Sequence, residues 1–225
     1  MGRRRASNGQ DFLGKTFGYK NGKTELSMSA VSAWIVREYF ESLGYLVTQP
    51  CKYSVASKKR KPDELVDLII CNPAIKEHVI PEQLIWKTSD LNSIAGAVIG
   101  VSGWHTDRFY AATFAQAPEL FRFAGDKALK FAAQRIGLKN PAKILCLPQL
   151  PASEKLKNDS IKTLREHGID GVLSFRTLLL ELVRSINTNN NYEKSDLLQI
   201  IRLLKNYGLL KDGQMDFFVK ERKKR

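Results

Sequence analysis

The stretch Lys61-Pro-Asp-Glu-Leu-Val-Asp-Leu-Ile-Ile-Cys-Asn72, followed by Gln83-Leu-Ile-Trp-Lys-Thr-Ser89, decides how this chain is read. Residues 65–71 form an apolar run broken only by Asp67, the mark of a strand buried on both faces. A carboxylate inside such a run is costly unless something binds it. Asp67 is therefore a functional candidate. Asn72-Pro73 turns the chain, and residues 83–87 read as the neighbouring strand. Side chains alternate along a strand, so Asp63, Leu65 and Asp67 share one face, as do Gln83, Ile85 and Lys87.

Working outward, Ser27 or Ser29 can cap a helix that runs to about Leu43, with Val31, Trp34, Ile35, Tyr39 and Phe40 as its apolar stripe and Gly44 as its stop. A short strand at 45–48 leads into a basic loop, 52–61. The Gly- and Ser-punctuated segment 90–108 carries no clear pattern. Beyond it the spacing predicts a strand over 108–114, a helix over 118–136 stopped by Gly137, and a strand over 143–147. A helix over 155–167 stopped by Gly168, a strand over 171–174 and an apolar helix over 177–186 follow. After a polar linker at 187–191, an amphipathic helix over 195–207 closes on Gly208. The expected organisation is an irregular basic arm (1–26), an α/β domain (27–186), and a C-terminal helix with a basic tail (187–225).

A strand carboxylate facing a strand lysine resembles the catalytic core of the PD-(D/E)XK nuclease superfamily, over about residues 28–147. The resemblance implies a restriction-endonuclease-like α-β-β-β-α-β core: a central mixed sheet flanked by helices, here with a C-terminal helical extension. It also implies roles. Asp67 would hold Mg²⁺, with Mn²⁺ as a substitute, and Lys87 would orient the attacking water that the ion activates. Two residues before the lysine the superfamily has an acidic residue or Gln, whereas this chain has Ile85, which cannot bind metal. Glu38 or Glu41 on the first helix is the expected replacement ligand, with Gln83 offering a neutral oxygen and Asp90 a further carboxylate. Thr88 and Ser89 are candidates for phosphate contacts.

Charge points to a polyanionic partner. The net charge is +13, and Arg3–Arg5, Lys58–Lys61 and the 220–225 tail contribute three, four and four of it. Such clusters favour nucleic acid through counterion release. Lys58, Lys59, Arg60 and Lys61 are the most telling, because they directly precede the Asp67 strand. DNA is the expected partner, and a homodimer is compatible with it.

Other classes find no support. No stretch is long and apolar enough to span a bilayer, and the N-terminus lacks the apolar core of a signal peptide. Three scattered cysteines fit a reducing cytoplasm rather than disulfides or zinc, and in a eukaryotic source a basic tail can serve as a nuclear address. Residues 96–103 lack the Lys-Ser/Thr of a nucleotide loop, and Ser102 lacks a G-x-S-x-G elbow. Residues 104–108 bring His105, Asp107 and Arg108 together as a candidate substrate loop. Two readings follow: a Mg²⁺-dependent DNA endonuclease of restriction or repair type, or a nuclease-fold protein without catalysis that binds nucleic acid or serves as an assembly subunit.

Overall fold

Leu68–Cys71 is the strand that the apolar run announces, buried along most of its length. In the computed structural model, which describes residues 30–50, 62–103, 105 and 108–210, this is β2 of a five-stranded sheet. The other strands of the sheet are β1 (Leu46–Thr48), β3 (Gly96–Val101), β4 (Ala142–Leu147) and β5 (Gly171–Ser174). The spatial order is β1-β2-β3-β4-β5. The first three strands pair antiparallel, whereas β3 with β4 and β4 with β5 pair parallel. The protein is thus α/β with a mixed sheet flanked by helices.

Parallel neighbours need crossovers, and helices supply them. α2 (Ala111–Gln116), a 3-10 segment (Pro118–Ala124) and α3 (Asp126–Ile136) join β3 to β4, and α4 (Glu154–Glu166) joins β4 to β5. Together they cover one face, with Phe114, Leu120, Phe121, Phe123, Ala128, Ala132 and Leu164 packed on Ile69, Val98, Leu145 and Val172. The other face is covered by α1 (Ala30–Ser42), α5 (Phe175–Ser185) and α6 (Asp196–Asn206). There Val36, Tyr39, Phe40, Leu178, Leu182 and Ile201 meet Leu68, Ile70, Ala97, Ile99 and Ile144. All six residues of β3 are buried, as a central strand covered on both sides requires. The four glycines expected to stop helices, Gly44, Gly137, Gly168 and Gly208, all take the left-handed conformation that ends a helix.

Four expectations are corrected. The third strand is 96–101, inside the segment that carried no clear pattern, and not 83–87. Residues 84–86 lie at the opposite margin of the sheet. There Ile85 bridges Val172 of β5 in parallel, with Trp86 N–H donating to Val172 O and Val172 N–H to Leu84 O. Residues 108–114 are not a strand: 108–110 have no regular structure and α2 begins at Ala111. The helix expected over 118–136 breaks at Gly125 into a 3-10 segment and α3. The strand expected over 65–71 begins only at Leu68, because Pro62–Leu65 forms a 3-10 turn.

Candidate functional site at the carboxyl end of the sheet

β2 runs antiparallel to β3, so the start of β2 lies at the carboxyl end of the parallel strands β3, β4 and β5. Ligand sites in open α/β sheets gather at that end. Asp67 sits there, one residue before β2. Its Oδ2 accepts a hydrogen bond from Val101 N–H at 2.7 Å, tying the start of β2 to the last residue of β3. Burial raises its carboxyl from 3.8 to about 6, and the Val101 bond opposes only part of that rise. Asp67 remains partly exposed as a residue, so its carboxylate is a desolvated group at the rim of the core.

Two residues at the end of β3 lie at the same end of the sheet. Leu68, opposite Ile99, is where the pairing of β2 with β3 begins, and Gly100 is the next residue along β3. A Cβ on Gly100 would run into the ring of Phe123, so the side-chain space at this position is already filled. Ser102 follows β3, is 2% exposed, and donates its backbone N–H to Cys146 O at 2.9 Å. Its Oγ has no hydrogen-bond partner among the described residues. The Cys146 thiol is pushed up by burial and, secondarily, by the Asp67 charge. Further along the same end, Ser32 Oγ and His105 Nε2 share a hydrogen bond at 3.1 Å, and the His105 ring meets Phe175 edge-on.

Lys87 is not part of this group. β3, β4 and β5 separate residues 84–86 from β2, four strand spacings or about 19 Å across the sheet. Lys87 instead starts a 3-10 segment, Thr88–Ser93, its backbone N–H bonded to Asp90 Oδ2 at 2.7 Å. Gln83 is held by the same carboxylate, Nε2 to Asp90 Oδ1 at 2.9 Å. Thr88 Oγ1 bonds the Tyr39 hydroxyl, whose own titration burial pushes up to about 12. Ser89 belongs to the same 3-10 segment. This cluster is a sheet-edge anchor, and the expected facing of Asp67 and Lys87 does not occur.

The helix carboxylates are likewise engaged elsewhere. Glu38 accepts from Trp34 Nε1 at 3.2 Å, and Glu41 pairs with Arg37 at 2.7 Å. Both line a groove of about 620 Å³ against Tyr192, Glu193, Lys194 and Leu198, on the side of α1 that faces α6. Lys58, Lys59, Arg60 and Lys61, the two basic tails, Trp104 and Asp107 lie outside the described residues.

Mg²⁺ takes near-octahedral oxygen ligands, with one or two of them carboxylates. Here the Asp67 carboxylate already receives an N–H donor from Val101. Among the described residues, no three His, Cys, Asp or Glu side chains converge as a metal-holding group. Gly100, Ser102 and Phe123 were not singled out by sequence in this role. The signal lay in residues 96–103, which invited tests as a phosphate loop and, at Ser102, as a nucleophile elbow. No protein-family model, curated protein or solved structure matches this chain.

Proposed function

We propose that this chain is a nucleic-acid-binding protein on a nuclease-type scaffold that lacks the hydrolytic apparatus. Support for the scaffold comes from element order: a helix, three strands paired antiparallel, a helical crossover and a parallel fourth strand. In the PD-(D/E)XK pattern the third strand supplies the acidic residue and the lysine on one face, beside the carboxylate at the start of the second. On this chain the corresponding positions at the end of β3 are Gly100 and Ser102.

The carrying observation is the filling of that acidic slot. Phe123 occupies the space that a side chain at 100 would need, so the slot is closed by packing as well as empty of charge. Asp67 then acts as a structural acceptor for Val101 N–H, and β3 itself carries neither an acidic residue nor a lysine. Binding rests on the +13 net charge.

The test is binding and cleavage by the purified full chain on labelled duplex DNA, with Mg²⁺ or with EDTA. Binding of equal strength in both, without products, is expected. Mg²⁺-dependent cleavage that Asp67→Asn abolishes would overturn the reading in favour of an endonuclease. Failure to bind would remove it altogether.

A further inference from the structure

α6 carries six aliphatic residues in eleven, and only Ile201 among them is buried. Leu197 and Leu198 pack partly against the core. Ile200 and Leu203 are 51% and 43% exposed, and Tyr207, which ends the helix, is 78% exposed. α1, α4 and α5 each expose one large apolar side chain, Val31, Leu156 and Leu179, so among the described residues α6 is the helix that presents a row of them. We infer that this row is the contact of an antiparallel homodimer, in which α6 of one copy lies against α6 of a second. The inference does not depend on nucleic-acid binding.

The order of the residues in the row points to a second copy as its occupant. Asp196, Ile200, Leu203 and Tyr207 are all exposed and follow one another at intervals of four, three and four residues. That is the spacing of a coiled-coil seam, and it holds the four within about 60° of one side of the helix. The spacing also reads the same from either end, about a centre between Ile201 and Arg202. A second α6 turned end for end therefore sets Ile200 against Leu203 twice and Asp196 against Tyr207 twice. In each outer pair the phenol can donate to the carboxylate. A two-fold interface demands this self-complementarity. A parallel pairing would instead set Asp196 against Asp196, like charge on like.

A net charge of +13 opposes self-association in general, so the direction in which α6 sends its cations matters. Lys205 Nζ donates to Val183 O and Ile186 O, and Arg202 Nε donates to Thr188 O. Both are thus drawn to the chain at and just beyond the end of α5. The row itself carries a single charge, the negative Asp196, so a second copy meets no cation there. Eleven residues make a helix about 16 Å long, too short for the roughly 800 Å² per partner of a standard interface. The pairing is accordingly a concentration-dependent equilibrium.

Sedimentation velocity on the full chain across a range of concentrations tests this. Wild type should move from monomer toward dimer as concentration rises. Ile200→Gln/Leu203→Gln should raise the dimer dissociation constant by roughly tenfold or more, and its melt at low concentration should coincide with that of wild type. Asp196→Cys/Tyr207→Cys should give a covalent dimer under mild oxidation, because its two cysteines lie too far apart along one helix to join each other. Asp196→Cys alone should give none. If the glutamine variant fails to fold, the cysteine variants decide. A wild type that stays monomeric throughout overturns the inference, and a melt lowered by the glutamine pair would then assign the row to another part of the same chain. Dimers that persist in the glutamine variant overturn it in favour of a different surface. Cross-linking by Asp196→Cys alone overturns the antiparallel register.

Discussion

At neutral pH the Asp67 carboxyl is ionised in a place that resists its charge. It titrates near 6 because burial disfavours the anion, and Val101 N–H repays only part of that cost. An acid raised in the folded state holds its proton more tightly there than in the unfolded chain. Its contribution to stability therefore falls as pH rises from about 4 to about 6 and stays low above that. The penalty at neutral pH is up to about 3 kcal/mol. Asp67→Asn keeps an acceptor for Val101 and carries no charge, so it should stabilise the protein at pH 7.5 by about 1–3 kcal/mol and flatten the pH 4–6 dependence. Urea unfolding across pH checks this, and a variant less stable than wild type at pH 7.5 would show that the ionised carboxylate is needed. Gly100 is constrained differently. A methyl group there meets Phe123, so Gly100→Ala should cost about 1–3 kcal/mol through overpacking. In a double-mutant cycle Phe123→Leu should relieve part of that cost, whereas strict additivity would mean that the two positions do not touch.

At the scale of elements, the two segments that exchanged roles show what sequence can and cannot convey. Residues 83–87 place three apolar residues, Leu84-Ile-Trp86, between Gln83 and Lys87, so they read as a strand, but only Ile85 joins the sheet, and at its margin. β3 is Gly-Ala-Val-Ile-Gly-Val, with no alternation and two glycines that usually weaken a strand. Those glycines admit neighbours: Ile136 and Leu138 crowd Gly96, and Phe123 crowds Gly100. Such a demand comes from tertiary contacts and leaves no local trace. Helices with a strong stripe and a glycine stop were legible, and so were β2, β4 and β5. The candidate site was legible only at Asp67, because Gly100 and Ser102 gain meaning only once Gly96–Val101 is the third strand. The marginal segment yields its own prediction. Ile85 is 38% exposed, so Ile85→Glu should change stability by no more than about 0.5 kcal/mol. Gly171→Ala, which drives a methyl into the Trp86 indole, should cost about 1–3 kcal/mol. Comparing their urea midpoints decides it, and a severe Ile85→Glu would place that residue deeper than the sheet margin.

For the molecule as a whole, the sheet separates two apolar layers, and α6 secures one of them. Its Lys205 Nζ donates to Val183 O and Ile186 O at the end of α5, each at 3.0 Å, and Arg202 Nε bonds Thr188 O. Lys205→Met keeps the aliphatic stem but leaves those carbonyls without that donor, and should lower stability by about 1–2 kcal/mol in thermal or urea melts. An unchanged melt would mean that water replaces the ammonium at no cost.

The excursion between β2 and β3 has a bearing on how the protein is made. The chain leaves β2, reaches the far side of β5, deposits Trp86 against Gly171, and returns to start the centre of the sheet. Gly171 follows Trp86 by 85 residues. At translation rates of about 5–20 residues per second, the indole waits roughly 4–17 s on the ribosome before its seat exists. A nascent chain halted short of β5 holds a hydrophobic strap with nothing to fasten to, so it is a natural client for chaperones during that interval.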